Sequence, residues 1–319
     1  MSVAIYHHTS SDNHIVRLRK AFVESADRTV AIMNGLHESF DTMPNVVFKT
    51  QRAALESELA LAHTDKYVYN VLHDTIKITG NDPDMYSDEH TPQAALFAAG
   101  AALNLVDDIF DVNSKISSGF AVVRPPGHHA CEKKCSGFCY FNKVMVAALY
   151  ALEKRLAFKV LVVDWDFHYH HGSSDILCKK DYTANELQVM SMHYYDNCNM
   201  FPFKKRGATG SYHNGQITNY GINVPCTDSI FTSNLAEFLN QYKLNNGTPD
   251  LILVSCGFDA AEGDPVGGDA SHVTPKCYGI MTQMLLDLTP NVGLVLEGGY
   301  NVDVLPLCAQ ECVASLLHE

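Results

Sequence analysis

The sequence predicts an α/β fold in which an open, mainly parallel β-sheet is sandwiched between helices. Short apolar, β-branched segments alternate along the chain with helical segments of 10–15 residues, an order that implies right-handed crossover connections. The segment 159–172 begins as an apolar run typical of a strand buried on both faces and ends in carboxylates and imidazoles. Because ligands bind at the carboxyl ends of strands in such sheets, we expect the active site there.

Eight strands are predicted from runs of apolar and β-branched residues. In chain order they cover residues 3–6, 46–48, 119–123, 160–163, 186–192, 219–224, 251–255 and 293–296. Residues 9–13 and 81–84 are rich in loop-forming residues.

Helices are predicted where apolar residues recur at a spacing of three and four. They cover about residues 27–37, 53–62, 91–106, 142–154, 235–242, 275–288 and the C-terminus, with a further helix starting at Thr64 or Asp65. The helix at 91–106 has Pro92 in its first turn and many alanines, so we expect close packing at the centre of the fold.

Length and composition indicate one domain over residues 1–319, since the chain has no low-complexity linker, internal repeat or block of like charge. The formal net charge of −13 argues against sequence-independent binding to nucleic acid and favours a cationic partner. We expect neither a signal peptide nor a membrane span. The ten irregularly spaced cysteines do not resemble a secreted disulfide framework, so an intracellular location, cytoplasmic or nuclear, is expected.

Polar residues follow four of the predicted strands at the point where each strand ends. In chain order these residues are His128 and His129, then Asp164, Asp166 and His168, then Asp259, and finally Glu297 and Tyr300. Because the carboxyl ends of parallel strands meet at one edge of a sheet, these side chains are predicted to face one crevice.

The residue types in this crevice indicate metal-assisted hydrolysis of an amide or ester. Asp166, His168 and Asp259 provide three ligands for a divalent metal such as zinc and leave positions open for water and substrate. Two adjacent histidines can act as general base and acid, and Tyr300 can donate a hydrogen bond to a developing oxyanion.

Five ordered motifs carry a resemblance to a known family. They are Arg-Pro-Pro-Gly-His-His-Ala at 124–130, Gly-Phe-Cys-Tyr-Phe-Asn at 137–142, Asp-Trp-Asp-Phe-His at 164–168, Gly-Phe-Asp-Ala-Ala-Glu-Gly-Asp-Pro at 257–265 and Glu-Gly-Gly-Tyr-Asn at 297–301. Together they resemble the arginase-deacetylase superfamily and, within it, the class II histone deacetylases. The resemblance covers nearly the whole chain and implies hydrolysis of N-ε-acyl-lysine, releasing acetate and lysine.

The resemblance also implies roles for single residues. One zinc ion per chain would be held by Asp166, His168 and Asp259. The catalytic residues would be His129 as general base, His128 oriented by Asp164 and protonating the leaving amine, and Tyr300 as donor to the oxyanion.

Binding of substrate and of a second ion is implied in the same way. The expected substrate-binding residues are Phe138 and Phe201 as tunnel walls, the Gly137 carbonyl as acceptor of the substrate amide, and Val266, Gly299 and Asp88. One or two potassium ions would be held by Asp164 and Ser191 with backbone oxygens of Asp166, His168 and Met192. Arg28 matches an arginine of the family's internal channel.

The chain departs from the family pattern after His168. Tyr169 and His170 look inserted, and we expect His168 rather than His170 to bind the metal because Asp-x-His needs no bulge. Ser173 stands where the family has an Asp or Asn that orients the general base, so Ser173, Asp175 or a nearby histidine takes that role.

Two further segments leave alternatives open. Cys131 and Cys135 beside the histidine pair are inert thiols, a redox switch or part of a second zinc site. In the segment 84–88, the residue that holds the substrate backbone is Asp84, Ser87 or Asp88.

Three functions compete: a protein lysine deacetylase, an acetylpolyamine amidohydrolase and a catalytically weak acetyl-lysine-binding module. Val266 stands where polyamine-specific relatives look to place a Glu, which disfavours the second function. The complete set of ligands and catalytic residues disfavours the third. The expected partners are an acetylated protein or peptide and hydroxamate inhibitors, with no direct contact to nucleic acid or membrane.

Overall fold

The computed structural model describes residues 2–14, 22–73 and 84–317, whose main feature is a nine-stranded sheet. The strands of the described chain are β1 (Ser2–Tyr6), β2 (Val46–Lys49), β3 (Ile116–Ala121), β4 (Val160–Asp164), β5 (Leu187–Tyr194), β6 (Gly210–Tyr212), β7 (Ile217–Ile222), β8 (Cys226–Thr227), β9 (Leu251–Cys256), β10 (Ser271–His272) and β11 (Val292–Leu296). Their order in the large sheet is β2-β1-β3-β11-β9-β4-β5-β7-β6, and β8 pairs with β10 separately.

Every pairing described in the large sheet is parallel except that of β6 with β7. The helices are α1 (Ser10–Asn13), α2 (Asp27–Phe40), α3 (Glu56–Leu59), α4 (Asp65–Leu72), α5 (Thr91–Phe110), α6 (Lys143–Glu153), α7 (His171–Leu177), α8 (Asp228–Asn246), α9 (Pro275–Leu286) and α10 (Leu305–Leu317). The predicted α/β fold is therefore confirmed.

Helices cover both faces of the sheet. Along β4, Val160 and Val162 point to the face packed by α5 and α6, whereas Leu161 and Val163 point to the face packed by α2, α8, α9 and α10. Because both faces are buried, the strand consists of apolar residues up to Asp164 and shows no alternation with polar ones. The first polar side chain of β4 therefore lies at its carboxyl end.

Helix α5 is long and apolar enough to cross a membrane by length and composition. Its alanines and leucines are buried against β3 and α6, so packing inside the protein accounts for its apolar character. This placement agrees with the expectation that the helix is central to the fold.

All eight predicted strands are present, but several boundaries differ. β3 begins at Ile116, three residues earlier than predicted, because Ser2 and Val3 of β1 pair with this polar start. The helix expected over 53–62 is reduced to α3, since the Ala54 amide donates to the Leu96 carbonyl of α5. Helices α1 and α7 were not predicted, and the loop expected at 81–84 lies outside the described residues except for Asp84.

The four strands predicted to carry the site are consecutive neighbours in the sheet, in the order β3-β11-β9-β4. Asp164 at the end of β4 is in register with Ser255 of β9, and Leu296 of β11 is in register with Cys256. The polar residues that follow these strands are therefore delivered to one edge.

Candidate active site

A cavity of about 250 Å³ opens at this edge of the sheet. The predicted site residues that line it are His128, His129, Gly137, Phe138, Asp166, His168, Phe201, Val266 and Tyr300. The ring of Phe201 meets that of His129 edge-on at 4.9 Å between centroids, and Phe138 meets Tyr300 at 5.9 Å. Aromatic side chains therefore form walls around a polar floor.

Asp166, His168 and Asp259 converge at the floor, where one ligand atom from each lies within 4.8 Å of the others. The Nδ1 atom of His168 is 2.9 Å from Asp259 Oδ2 and 3.3 Å from Asp166 Oδ1. Backbone amides fix the carboxylates: Gly298 donates to Asp166 Oδ2 at 2.8 Å, and Phe167 donates to Asp259 Oδ1 at 2.7 Å. A Cβ on Gly298 would lie 2.7 Å from both carboxylates, so the close approach requires glycine.

This donor set fits a divalent metal. Burial raises the pKa of Asp259, and the neighbouring buried Asp166 carboxylate raises it further because two negative charges lie close together. A cation between the carboxylates would relieve that repulsion, and two oxygens with one imidazole nitrogen suit zinc. The imidazole of His170 points elsewhere, with Nε2 3.1 Å from Asn219 Oδ1.

His128 lies between two carboxylates. Its Nδ1 is 3.1 Å from Asp164 Oδ2, and its Nε2 is 3.5 Å from Asp166 Oδ1. Burial lowers its pKa, but Asp166 and Asp164 outweigh burial and raise the pKa to about 10. The two carboxylates therefore favour the protonated form of His128, which can donate.

His129 has a different environment. Burial lowers its pKa well below the ordinary value, and the neighbouring His128 lowers it further. Burial also lowers the pKa of His171, to about 3, so His171 is neutral and can accept a hydrogen bond. The Nδ1 atom of His129 lies 3.2 Å from Nδ1 of His171, the first residue of α7. If His129 Nδ1–H donates to His171, the lone pair of His129 is on Nε2, where it can accept a proton.

The partner of His129 is thus an imidazole. The Ser173 hydroxyl accepts instead from the Asn142 amide at 3.0 Å, and the Asp175 carboxylate accepts from the Glu132 backbone and pairs with Lys179 at 2.7 Å. Of the alternatives left open by the sequence, the nearby histidine is the one in contact. Its position results from α7, which begins at His171 directly after Tyr169 and His170.

The Tyr300 loop is held from both ends. The Tyr300 amide donates to Asp264 Oδ2 at 2.6 Å, and the guanidinium of Arg28 lies 4.9 Å from the centre of the Tyr300 ring. Burial raises the pKa of Tyr300 well above its ordinary value, so its hydroxyl stays protonated and can donate. Arg28 also donates to the Gly299 and Glu297 carbonyls at 2.5 Å each.

A buried ion cluster lies behind this loop. Arg28 and Arg124 share the carboxylate of Glu24, at 2.8 Å and 2.7 Å, and all three side chains are fully buried. Burial raises the pKa of Glu24, but Arg124 and then Arg28 outweigh burial and lower it to about 2. Because removal of one partner leaves buried charge unpaired, this cluster is strongly coupled to folding.

We expect Glu24→Gln to lower the free energy of unfolding by roughly 3–5 kcal/mol near neutral pH, measured by urea denaturation. The pKa of Glu24 is lower in the folded protein than its ordinary value of 4.5, so its contribution is complete above about pH 4.5 and is lost as pH falls towards 2. The difference in the free energy of unfolding between wild type and Glu24→Gln should therefore shrink as the pH falls from about 4.5 towards 2. Glu38→Gln, at an exposed position of α2, is the matched control and should change stability by less than about 0.5 kcal/mol.

Two residues predicted to bind substrate lie elsewhere. The Asp88 carboxylate accepts from the His90 amide at 2.9 Å and from the Thr91 hydroxyl at 3.0 Å, so it is held beside the start of α5 and does not line the cavity. The Gly299 carbonyl is taken by Arg28. Asp84 and Gly298 line the cavity in their places.

The thiol-switch hypothesis for Cys131 and Cys135 is weakened. Burial and the carboxylate of Asp175 raise the pKa of Cys131 to about 11, so little reactive thiolate is present at neutral pH. Cys135 is buried. Potassium binding stays a prediction: Asp164 is in register with Ser191, whose hydroxyl lies 2.8 Å from His193 Nδ1.

The sequence reasoning missed several residues that support the site. Asp264 lies within a motif, but nothing in the sequence indicates that it holds the Tyr300 amide. Glu24 lies before the start of α2, so its four-residue spacing from Arg28 does not predict their ion pair. Lys143, buried 3.3 Å from Glu297 Oε1, carries no signal in the sequence that distinguishes it from a surface lysine.

Comparison with known proteins gives consistent matches. The histone deacetylase domain family matches residues 22–316. Histone deacetylase 6 of Caenorhabditis elegans is 33% identical over 326 residues, covering 97% of this chain and 33% of that protein. Histone deacetylase 18 of Arabidopsis thaliana is 33% identical over 321 residues, covering 94% of this chain and 45% of that protein. The chain thus spans less than half the length of these relatives.

Solved structures agree. The crystal structure of the HDA15 HD domain matches with a TM-score of 0.88 and 31% sequence identity, covering 99% of this chain and 88% of that chain. The fold is therefore shared with a protein of this family, and the family match extends over most of the chain.

Proposed function

The chain belongs to the histone deacetylase family, and we propose that it hydrolyses the amide of acetyl-lysine in proteins by means of one bound zinc ion. The observation that carries this proposal is the convergence of Asp166, His168 and Asp259 at the floor of an aromatic-walled cavity. Zinc, when bound, supplies a Lewis acid for the acyl carbonyl and lowers the pKa of water. A structural potassium ion near Asp164 and Ser191 is part of the proposal.

The remaining chemistry falls to the protein's own side chains. Phe138 and Phe201 grip the aliphatic lysine stem and exclude water. His129 accepts a proton at Nε2 from the attacking water as its oxygen bonds to the acyl carbon. The Tyr300 hydroxyl donates to the oxyanion that develops. His128, charged beside Asp164, provides a proton as the carbon–nitrogen bond breaks and the lysine amine leaves.

A protein substrate is favoured over an acetylpolyamine by Val266. This side chain lines the cavity and offers no charge to the distant ammonium group of a polyamine.

The test is turnover of a matched panel: peptides bearing acetyl-, trifluoroacetyl- or longer acyl-lysine, beside acetylated polyamines, each with and without a hydroxamate chelator. We expect hydrolysis of acetyl-lysine peptides and its loss with hydroxamate. Hydrolysis of acetylated polyamines but not of acetyl-lysine peptides would indicate an acetylpolyamine amidohydrolase. Binding of acetyl-lysine peptides without hydrolysis would indicate a binding module.

His171 is expected to be a positioning residue for His129. His171→Ala should lower kcat roughly tenfold to a hundredfold, because His129 loses the contact that fixes its ring and tautomer. His171→Asp supplies a negative acceptor, which stabilises the protonated form of His129. The acid limb of the pH profile of kcat/KM should therefore move to higher pH in His171→Asp. An unmoved acid limb beside a lowered kcat would reduce His171 to a purely structural residue.

A further inference from the structure

A second, larger cleft of about 820 Å³ lies beside the catalytic cavity. Asp84 and Phe201 line both, so the two are adjacent and separated by the Phe201 ring. The opposite wall of the catalytic cavity, formed by Phe138, Val266 and Tyr300, does not line the cleft. The cleft therefore extends to one side of the cavity mouth.

Four basic residues line this cleft: Lys134, Lys204, Lys205 and Arg206. All four are exposed. Within the described part of the chain, no ion pair joins any of them to a carboxylate, whereas the neighbouring Lys133 and Lys179 pair with Glu132. Of the two carboxylates in the lining, Asp175 is paired with Lys179, and Asp84 lies at the boundary with the catalytic cavity.

The cleft thus concentrates positive charge on a chain whose formal charge is −13. The net charge of the whole chain predicts a cationic partner. The electrostatic potential beside the cavity is nevertheless set by the nearest unpaired charged side chains, because salt screens charges that lie more than about 10 Å away. Phe203, 63% exposed, adds an apolar contact surface to the same rim. A basic cleft with an exposed aromatic residue suits an extended segment that carries carboxylates.

We propose that this cleft binds acidic residues that flank the acetyl-lysine of the substrate on one side. The inference rests on the proposed function, because the cleft is placed to read the chain that leaves the cavity mouth. The acidic segment belongs to the substrate itself, since the cleft and the catalytic cavity share a wall. The enzyme would thereby select acetylated lysines in locally acidic sequences.

The test uses acetyl-lysine peptides with two or three Asp residues placed before or after the lysine, beside Asn and Lys versions of equal length. We expect kcat/KM for the acidic peptide to exceed that for the neutral one by roughly threefold to tenfold, the range for a few exposed charge pairs. The preference should hold on one side of the lysine only and should fall as salt is raised.

The triple variant Lys134→Gln, Lys204→Gln, Lys205→Gln should abolish the preference, so that kcat/KM for the acidic peptide equals kcat/KM for the neutral one. Lys66→Gln, Lys243→Gln, Lys276→Gln is the matched control: it removes the same charge from exposed positions outside the cleft and should keep the preference. The proposal would be overturned if kcat/KM were the same for acidic, neutral and basic flanking residues, or if both triple variants lost the acidic preference equally. It would also be overturned if the cleft residues instead conferred a preference for acyl chains that end in a carboxylate. Failure to hydrolyse any acetyl-lysine peptide would refute the proposed function instead.

Discussion

Replacing Asp259 with alanine is expected to abolish the proposed binding of zinc and to lower kcat by roughly a thousandfold or more. Three ligands converge on one point, and loss of Asp259 leaves Asp166 and His168 to hold the ion with one carboxylate fewer. A metal ion contributes several kcal/mol of transition-state stabilisation, and each 1.4 kcal/mol corresponds to about tenfold in rate. The readouts are zinc content by elemental analysis after gel filtration, and turnover of an acetyl-lysine peptide.

Two histidine variants sharpen this prediction. His168→Ala should also lose zinc, because its Nδ1 lies 2.9 Å from the Asp259 carboxylate. His170→Ala should retain zinc, since His170 contacts Asn219 and takes no part in the triad. Full zinc in an inactive Asp259→Ala protein would show that Asp259 acts in another way. A zinc-free His170→Ala protein beside a metallated His168→Ala protein would shift the ligand assignment by two residues.

The sequence predicted the edge of the sheet well because the signal there is local. Each strand is an apolar run that ends in a glycine or an ionisable residue, and parallel pairing of β3, β11, β9 and β4 suffices to bring those ends together. The Asp-x-His spacing, which needs no bulge in the chain, likewise sufficed to favour His168 over His170 as the partner of the carboxylates.

What the sequence could not supply were contacts between distant segments. The His129–His171 contact depends on α7, which begins at His171 and whose polar sequence lacks a helical pattern. Asp84 and Asp88 are the same residue type four positions apart, so the sequence does not distinguish them. In the structure the Thr91 hydroxyl donates to the Asp88 carboxylate and holds it beside the start of α5. Gly298 and Gly299 are likewise indistinguishable in sequence. The contact of Arg28 with the Gly299 carbonyl separates them, because Gly298 is the one that lines the cavity.

Tyr300→Phe is expected to keep the fold and the zinc while lowering kcat by roughly 10²–10³, about 3–4 kcal/mol, as for the loss of one oxyanion donor. The ring stays in place because its contacts to Phe138 and Arg28 do not involve the hydroxyl. Since the interaction forms only as negative charge develops on the acyl oxygen, kcat and kcat/KM should fall together while KM stays near that of wild type.

The matched control for Tyr300 is Tyr278→Phe, which removes the same atom elsewhere in the protein. Tyr278 is buried against Phe258 and does not line the cavity, and its hydroxyl has no hydrogen-bond partner among the residues that the structure describes. Its loss should therefore leave kcat within about twofold. A Tyr300→Phe enzyme with less than a threefold change in kcat and a raised KM would make Tyr300 a residue for substrate binding alone. Stabilisation of the oxyanion would then fall to the proposed metal site and to His128, whose protonated form is favoured by Asp166 and Asp164.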